Sequence, residues 1–320
     1  MNTIKTLRKK LVRLKNDNPY LKLLWFKHLA RRASKAESIP DREWIEIAFE
    51  QTFGRKPDLD NPISYYEKLN WLKLYYRNDL MPIVADKYAV RQYLIEKGYG
   101  ELLNDLLGAW EDANDFCANE LPKRFVLKAS HASGTAWNLI VKDKSQINWN
   151  ATRLIMRQWL KQKIDWMGRE WHYGEMKPRI ICERYLEDES GELRDYKFHC
   201  FNGHPKTVSI FTGRFTGNKM GLMHDLDGNL LPYTPEAEEL LRKNPEFRIP
   251  FPKNFHKMVA IAEDLCKPFP MVRIDFYNAN GKIYFGEFTF FDGSALVEGY
   301  TDEAQRVIGS WLTLPEANHR

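Results

Sequence analysis

The sequence predicts an α+β protein in which a helical N-terminal region precedes two strand-rich segments. Apolar residues recur at helical spacing in residues 41–110, for example at Leu69, Leu72 and Tyr76. From residue 121 the pattern changes to short apolar stretches separated by polar or small-residue loops, which is typical of strands. The last third of the chain contains runs that alternate with period two around Asn-Gly turns, which predicts antiparallel hairpins.

The elements after residue 121 are predicted in a definite order. A strand–loop–strand unit is followed by a helix, a single strand, a hairpin across Asn202-Gly203, a loop-rich stretch, a helix, a second hairpin around Asn280-Gly281, and a last helix. The strand–loop–strand unit is predicted at 125–128 and 139–141, the helix at 154–160 and the single strand at 180–182. The first hairpin is predicted at 196–201 with 207–211, and the loop-rich stretch at 213–250. The next helix is predicted at 255–266, the second hairpin at 271–277 with 282–290, and the last helix at 301–312.

Composition excludes several protein classes. The chain has 320 residues, of which 43% are hydrophobic, so it can bury a large core. No apolar run approaches the roughly 18 residues that span a bilayer, and no secretory signal pattern is present. The four cysteines form no C-x-x-C pair, which argues against a zinc ribbon or a redox motif. We therefore expect a cytoplasmic globular protein.

The positive charge is confined to the first 36 residues. They hold eleven Lys or Arg against Asp17, a charge of +10, so the remainder of this +5 chain carries −5. An apolar stripe at helical spacing runs through this segment at Ile4, Leu7, Leu11 and Leu14. A basic amphipathic helix can lie on an anionic membrane surface, but most amphipathic helices bury their stripe against protein. We favour protein packing and keep a peripheral membrane contact at the inner face as the alternative; no nucleic acid is expected.

The second predicted hairpin, at 271–277 and 282–290, presents charged residues at alternate positions. Arg273, Asp275 and Glu287 occupy odd positions between apolar even ones. A two-residue turn would place Asp275 and Glu287 on opposite faces, whereas a three- or five-residue loop would place them together and also unite the apolar faces. Because uniting the apolar faces is the stronger driving force, we predict the odd-length loop, with Gly281 left-handed.

Asp275, Glu287 and the nearby Thr289 would then offer hard oxygen ligands of the kind that Mg²⁺ prefers. Arg273 beside them could stabilise negative charge on a reacting group. An exposed Arg–Asp–Glu face of a surface hairpin explains the pattern equally well.

A second cluster follows the strand that ends at Lys128. Residues 130–135 are small or polar, so their backbone N–H groups could approach phosphate oxygens beside the lysine charge. Taken alone this is a weak motif, because small polar hairpin loops are common. Lys87 could equally be a solvated lysine at a helix start, and Glu183 to Leu186 an ordinary strand end.

These pieces occur in the order found in a known family. The sequence closely resembles the TupA-like ATP-grasp family of bacterial surface-polymer gene clusters, from about residue 50 to the C-terminus. The matching segments are NPISYYEKLNWLKLYYRNDL, ADKYAVRQYL, LPKRFVLKASHASG, NLIVKDKS, KPRIICERYLED, LRDYKFHCFNG, MVRIDFY and FGEFTFFDGSA.

The resemblance implies the ATP-grasp fold, in which two α+β subdomains clamp ATP, here after a helical N-terminal region. The implied ranges are 1–38 for a basic amphipathic helical leader, 39–120 for the helical region, 121–186 for the first subdomain, with phosphate loop and adenine hinge, and 187–320 for the second, with metal site and acceptor pocket.

The resemblance also implies the residues that contact ATP and Mg²⁺. Two lysines would hold the α- and β-phosphates, and a flexible loop would close over ATP. At a strand end, Glu183 and Tyr185 would bond the adenine edge mostly through their backbones, and Leu186 would line the pocket. The lysines are Lys87 and Lys128, the loop residues are Ser130, His131, Ser133 and Gly134, and the residues at the strand end are Glu183, Tyr185 and Leu186.

The reaction centre is implied in the same way. Asp275 and Glu287 would ligate Mg²⁺, Lys197 would approach the γ-phosphate, and Arg273 would face an acyl intermediate. Thr289 stands where ATP-grasp ligases usually carry Asn, so it is the weaker ligand candidate. The phosphate loop is also poor in glycine, with only Gly134.

The resemblance favours an ATP- and Mg²⁺-dependent carboxylate–amine ligase that works through an acyl phosphate. Its carboxylate and amine substrates would be sugar- or lipid-linked precursors of a cell-envelope polysaccharide such as a capsule. A kinase on the same fold, a glycosyltransferase using a nucleotide sugar, and a non-catalytic nucleotide-binding scaffold are the alternatives.

Overall fold

The computed structural model describes residues 18–189, 193–212 and 220–318. Within these ranges the N-terminal third is helical, and further helices pack around two sheets. The helices are α1 (Pro19–Ala36), α2 (Asp41–Phe53), α3 (Tyr65–Tyr75), α4 (Leu80–Ala85), α5 (Ala89–Glu96), α6 (Trp149–Lys161), α7 (Asp165–Gly168), α8 (Pro235–Lys243), α9 (Phe255–Cys266) and α10 (Asp302–Trp311).

Two antiparallel sheets form the framework of the molecule. The first has four strands in the order β1-β4-β2-β3, and the second has five strands in the order β7-β6-β5-β8-β9. The strands are β1 (Leu106–Trp110), β2 (Phe125–Ala129), β3 (Asn138–Val141), β4 (Ile180–Arg184), β5 (Arg194–Phe201), β6 (His204–Thr212), β7 (Met220–Asp225), β8 (Met271–Ala279) and β9 (Lys282–Thr289).

Each sheet has its own hydrophobic core. The core of the first sheet lies between its strands and helices α1 and α6, with Phe26, Phe125 and Trp159 fully buried. The core of the second sheet lies against α9, where Phe198 and Met258 are fully buried, and it continues into α3 and α5.

Most predicted elements are present, and two predictions were wrong. Residues 106–110 were expected to be helical, but they form β1, which pairs with β4. This stretch, LLGAW, is too short to show a helical period, and its burial comes from sheet pairing. Residues 213–250 were expected to be loop-rich, yet 220–225 and 235–243 form β7 and α8. The caps of α8, a Thr234 side chain and a proline at the start, were visible in the sequence.

Helix α1 (Pro19–Ala36) forms the second half of the basic segment 1–36. Its apolar face is buried on the first sheet's side, with Phe26 and Leu29 at 0% and 3% exposure, so this part of the segment packs on protein. The stripe from Ile4 to Leu14 lies outside the described residues. Over the part of the chain that the structure describes, no helix is both long and apolar enough to cross a membrane.

Candidate functional site

The β8–β9 hairpin brings Asp275 and Glu287 together, but by a route that the sequence did not predict. Ala279 pairs directly with Lys282, so the turn has two residues, Asn280 and Gly281, with φ of 52° and 77°. The prediction of an odd-length loop was therefore wrong, although Gly281 is left-handed as expected. Such a turn alone would put the two acids on opposite faces.

A β-bulge at Gly286 restores the pairing. Phe276 pairs with Phe285, whereas Asp275 pairs with Glu287, so Gly286 is the extra residue on β9. A Cβ atom on Gly286 would lie 2.9 Å from the carbonyl oxygen of Asp275, which is too close for any side chain. The bulge thus needs glycine, and it moves Glu287 onto the face that carries Asp275.

Asp275 is held ionised by two cations. Arg273 donates from Nε and Nη2 to its carboxylate at 2.7 and 3.0 Å, and Lys197 on the neighbouring strand also donates to it. Burial raises the pKa of Asp275, but Arg273 and Lys197 outweigh it and lower the pKa to about 2. Asp275 is therefore a permanent anion on a nearly buried sheet face, at 4% exposure.

Arg273 is in turn surrounded by oxygen atoms. Its Nη2 lies 3.0 Å from Thr289 Oγ1 and 3.4 Å from Glu287 Oε1, and its Nη1 donates to Asp292. Burial lowers the pKa of Arg273, but Asp275 and Asp292 outweigh it and raise the pKa well above its ordinary value. Asp292 was missed from the sequence. It follows β9 in the matching FFDGSA segment, so that segment was the available signal.

The turn that follows Asp292 has an unusual backbone, and the N-terminal helices hold it. Gly293, Ser294 and Ala295 all have φ between 50° and 56°, a region that non-glycine residues rarely occupy. Two buried side chains of α3 bond the turn: Lys73 Nζ donates to the Ser294 carbonyl, and Asn70 Nδ2 donates to the Ala295 carbonyl at 3.1 Å. The strained turn is thus over-determined by its surroundings, as such turns at functional sites usually are.

Two lysines from the first half of the chain face this carboxylate pair. Lys128 Nζ on β2 donates to Glu183 Oε2 on β4 at 2.5 Å. Lys87 Nζ donates to the Ala132 carbonyl at 2.6 Å and lies 3.9 Å from Glu287 Oε2 on the second sheet. Lys87 therefore joins the two sheets electrostatically.

The pKa values of the two lysines shift in opposite directions. Burial lowers the pKa of Lys87, only partly countered by Glu287. Burial also lowers the pKa of Lys128, but Glu183 and other anionic groups outweigh it and the net shift is upward. The charged form of Lys128 is thus stabilised by its anionic neighbours, whereas that of Lys87 is disfavoured by burial.

The small-residue segment after β2 is anchored at one end and exposed at the other. Ser130 Oγ donates to Asp86 Oδ2 at 3.0 Å, and the His131 ring lies 3.0 Å from the Trp159 carbonyl, so both side chains bond inside the protein. Ser133 and Gly134 are exposed. The Ser130 N–H also bonds the Arg179 carbonyl at 2.9 Å, so Ser130 is held by its backbone as well as by its side chain.

The segment proposed for adenine lies at the end of β4. Glu183 is still inside the sheet, paired with Val126 and with Leu106, and its carboxylate is bonded to Lys128. Tyr185 and Leu186 follow the strand and are half-buried. The sheet therefore leaves Tyr185 and Leu186 with a freer backbone than Glu183.

A pocket between the two sheets joins these groups. Its wall includes Lys87, Lys128 of β2, Glu183 of β4, and Phe285 and Gly286 of β9. The structure thus brings together the two lysines, Glu183 and the carboxylate hairpin.

The donor set at the hairpin fits Mg²⁺ better than a metal held by protein alone. In residues 18–189, 193–212 and 220–318, no three His, Cys, Asp or Glu side chains form a metal-binding group. Mg²⁺ is commonly held by one or two carboxylates together with substrate phosphates. Asp275 and Glu287, paired across the hairpin beside two lysines, match that requirement.

Comparison with known families decides the classification. The model of the TupA-like ATP-grasp family matches residues 67–313, which is most of the chain and includes every group described above. The chain belongs to this family. The predicted ATP-grasp fold is confirmed by this match and by the two antiparallel sheets preceded by helices.

Solved structures give distant likenesses only. A D-alanine–D-alanine ligase from Bacillus anthracis complexed with ATP is 14% identical, with a TM-score of 0.38, and the match covers 65% of this chain and 55% of that one. The D-alanine–D-alanine ligase from Helicobacter pylori is 12% identical, with a TM-score of 0.44, over 78% and 69% of the two chains. The TupA-like chain thus spans little more than half of the Bacillus anthracis ligase. No curated protein matches the sequence.

Proposed function

We propose that this TupA-like protein is an ATP- and Mg²⁺-dependent carboxylate–amine ligase. The observation that supports this most is the bulged hairpin. Its bulge requires a glycine and places Asp275 and Glu287 side by side, opposite Lys87 and Lys128. A surface hairpin would not need that device. Paired anions facing paired lysines suit a nucleotide triphosphate that carries a divalent ion.

In the proposed arrangement, ATP lies between the two sheets. Lys87 and Lys128 bind the α- and β-phosphates, and the backbone of residues 130–135 closes over them. Tyr185 and Leu186 contact the adenine ring at the end of β4. Lys128 exchanges its bond to Glu183 for a phosphate oxygen, which leaves Glu183 beside Arg91 at 3.8 Å.

Asp275 and Glu287 would hold Mg²⁺, with Thr289 as a weaker ligand. When bound, the ion would offset the charge that develops on the transferred phosphoryl group. The protein's own part is to keep both carboxylates in place and Asp275 ionised. Arg273 and Lys197 do this for Asp275, because they hold its pKa at about 2.

The proposed reaction has two steps. A substrate carboxylate attacks the γ-phosphorus of ATP, which forms an acyl phosphate and releases ADP. An amine then attacks the acyl carbon, the C–O bond to phosphate breaks, and an amide and inorganic phosphate are formed. Lys197 would approach the γ-phosphate and Arg273 the acyl phosphate, both from the polar face of β5 and β8. Positioning and electrostatics supply most of the rate.

The substrates that we propose are a carboxylate and an amine on sugar- or lipid-linked precursors of a cell-surface polysaccharide. The enzyme would act in the cytoplasm or at the inner face of the cell membrane.

The test is product stoichiometry. Purified protein with Mg²⁺, ATP and candidate acids and amines should release ADP and phosphate in equal amounts, and only when acid and amine are both present. Release of ADP with a phosphorylated product and no free phosphate would show a kinase and contradict ligation. The variant Asp275→Asn serves as the control for contaminating ATPases.

A further inference from the structure

Helix α1 is fixed in rotation by the face that it buries. Phe26 packs against Trp137 with ring centroids 5.1 Å apart, and Leu29 is 3% exposed on the same side. Lys22 Nζ reaches the Asn138 carbonyl at 3.5 Å and lies 5.5 Å from the centre of the Trp159 ring. Because these contacts define the inner side of the helix, the residues on its outer side are defined too.

The outer face of α1 has an apolar end and a basic end. Tyr20, Leu21 and Leu24 in its first turns are 62%, 43% and 61% exposed. Lys27 and Arg31 lie on the same outer face, one and two turns further along, and both are exposed. Three large apolar side chains left exposed on two turns of one helix are unusual for a surface with no partner.

The charge of this helix is of one sign. Residues 19–36 contain five Lys or Arg and no Asp or Glu. Residues 37–320 carry a net charge of −5, so the basic surface is local and not a general property of the chain. The occupant of this face must therefore be anionic and must also accept apolar side chains.

We propose that the outer face of α1 binds the surface of a bilayer that contains anionic phospholipids. A helix lying in the interface would place Tyr20, Leu21 and Leu24 at the acyl boundary and Lys27 and Arg31 at the headgroup phosphates. A nucleic acid would satisfy the cations but leave the apolar turns uncovered. This surface is independent of the proposed ligase activity, which needs none of these residues.

The position of α1 gives this contact a consequence for the nucleotide site. Trp137 and Asn138, which α1 touches, lie three and four residues after Gly134 of the small-residue segment. The cleft between the sheets would therefore be held beside the bilayer, where lipid-linked molecules are located.

The experiment uses the full-length chain and co-sedimentation with vesicles of phosphatidylcholine, with and without phosphatidylglycerol. The variant Lys27→Glu/Arg31→Glu reverses two cations on the outer face. The matched control Lys206→Glu/Lys253→Glu makes the same change of net charge at exposed positions elsewhere. Each cation near an anionic surface contributes to the free energy of membrane binding, so the affinity of the α1 variant for vesicles with phosphatidylglycerol should fall at least about tenfold. The control should bind these vesicles like the wild type.

A second pair of variants tests the apolar end. Leu24→Ser should weaken vesicle binding several-fold, whereas Ile63→Ser, which removes another exposed apolar side chain at 68% exposure, should not. ATP affinity measured without vesicles should be the same for all four variants, which shows that each is folded.

Three outcomes would overturn the proposal. They are wild-type binding by Lys27→Glu/Arg31→Glu, an equal loss in both charge-reversal variants, and wild-type protein that does not distinguish vesicles with phosphatidylglycerol from those without. A different result would be a wild-type protein that does not bind vesicles but forms a dimer, which Leu24→Ser separates into monomers. The outer face of α1 would then be an interface between two copies of the chain.

Discussion

Both sheets of this ATP-grasp protein carry a partly or fully buried charged side chain that is paired with opposite charge, but the sign of the central charge differs between them. On the first sheet a cation, Lys128, is paired with one acid, Glu183. On the second sheet an acid, Asp275, is paired with two cations, Arg273 and Lys197. Each sheet therefore neutralises its own charges before any ligand arrives. Under the proposed function, ligand binding would be an exchange of partners, in which Lys128 bonds a phosphate instead of Glu183 and the acids bond a metal ion.

The largest effect is expected on the second sheet. Glu287→Gln keeps the shape of the side chain but removes the charge that would bind Mg²⁺, so turnover should fall by at least about 100-fold while ATP binding is partly retained. Steady-state release of phosphate and equilibrium ATP binding measure the two quantities. Glu298→Gln is the control, because this acid lies outside the hairpin. Wild-type turnover by Glu287→Gln would remove the carboxylate from the reaction.

The junction between the sheets offers a test by pH. His172 is buried against Phe290 and Phe291, and burial, with a smaller contribution from Lys73, lowers its pKa to about 3. The unfolded chain takes up a proton at about pH 6.5 and the folded chain does not, so folding stability is lost as the pH falls below 6.5.

The variant His172→Phe removes this proton uptake. Between pH 7 and pH 4 its free energy of unfolding should fall by about 3 kcal/mol less than that of the wild type. Urea denaturation at the two pH values gives both differences. Equal losses in the two proteins would mean that the His172 ring can be protonated in the folded state.

On the first sheet, Lys128→Met should weaken ATP binding by about tenfold, because a charge-assisted bond to a phosphate is lost. Lys123→Met is the matched control, since Lys123 is an exposed lysine near the start of the same strand, paired with Asp143 at 3.2 Å. Fluorescence or calorimetric titration with ATP compares the two. An effect of Lys123→Met as large as that of Lys128→Met would show that total charge, and not the position of Lys128, controls affinity.

The bulge gives the smallest expected effect on stability. In Gly286→Ala the new Cβ would lie 2.9 Å from the Asp275 carbonyl oxygen, so the hairpin must shift at a cost of about 1–3 kcal/mol. Gly299→Ala has open space around the new atom and should change stability by less than about 0.5 kcal/mol. Thermal or urea unfolding distinguishes them, and equal stabilities would mean that the bulge does not depend on glycine.

The hairpin also shows how far the sequence could predict this molecule. Alternation left two registers open, and the union of the apolar faces favoured the one in which Arg273, Asp275 and Glu287 share a face. It could not predict the two-residue turn combined with a bulge, because Gly286 reads as an ordinary strand glycine until the neighbouring backbone is known. The apolar pattern fixed the outcome, and the route to it depended on tertiary contacts.

Longer elements with a clear period were predicted better than short ones. The hairpin across Asn202-Gly203 and the helix near 255–266 occur where their patterns indicated. The sequence of strand β1 does not alternate between apolar and polar residues, and the strand is defined by its pairing with β4. For Asp292 the sequence offered only its place in the matching FFDGSA segment, and its role depends on tertiary contacts: Arg273 bonds Asp292, and Lys73 bonds the left-handed turn after it.

The most direct test of the account is a structure of the full chain determined with Mg²⁺ and a non-hydrolysable ATP analogue. We predict one Mg²⁺ ion contacting both Asp275 and Glu287 and the phosphate chain, with Lys128 bonded to a phosphate oxygen in place of Glu183. A nucleotide bound away from the space between the sheets, or a metal ion that touches neither carboxylate, would contradict the central claim.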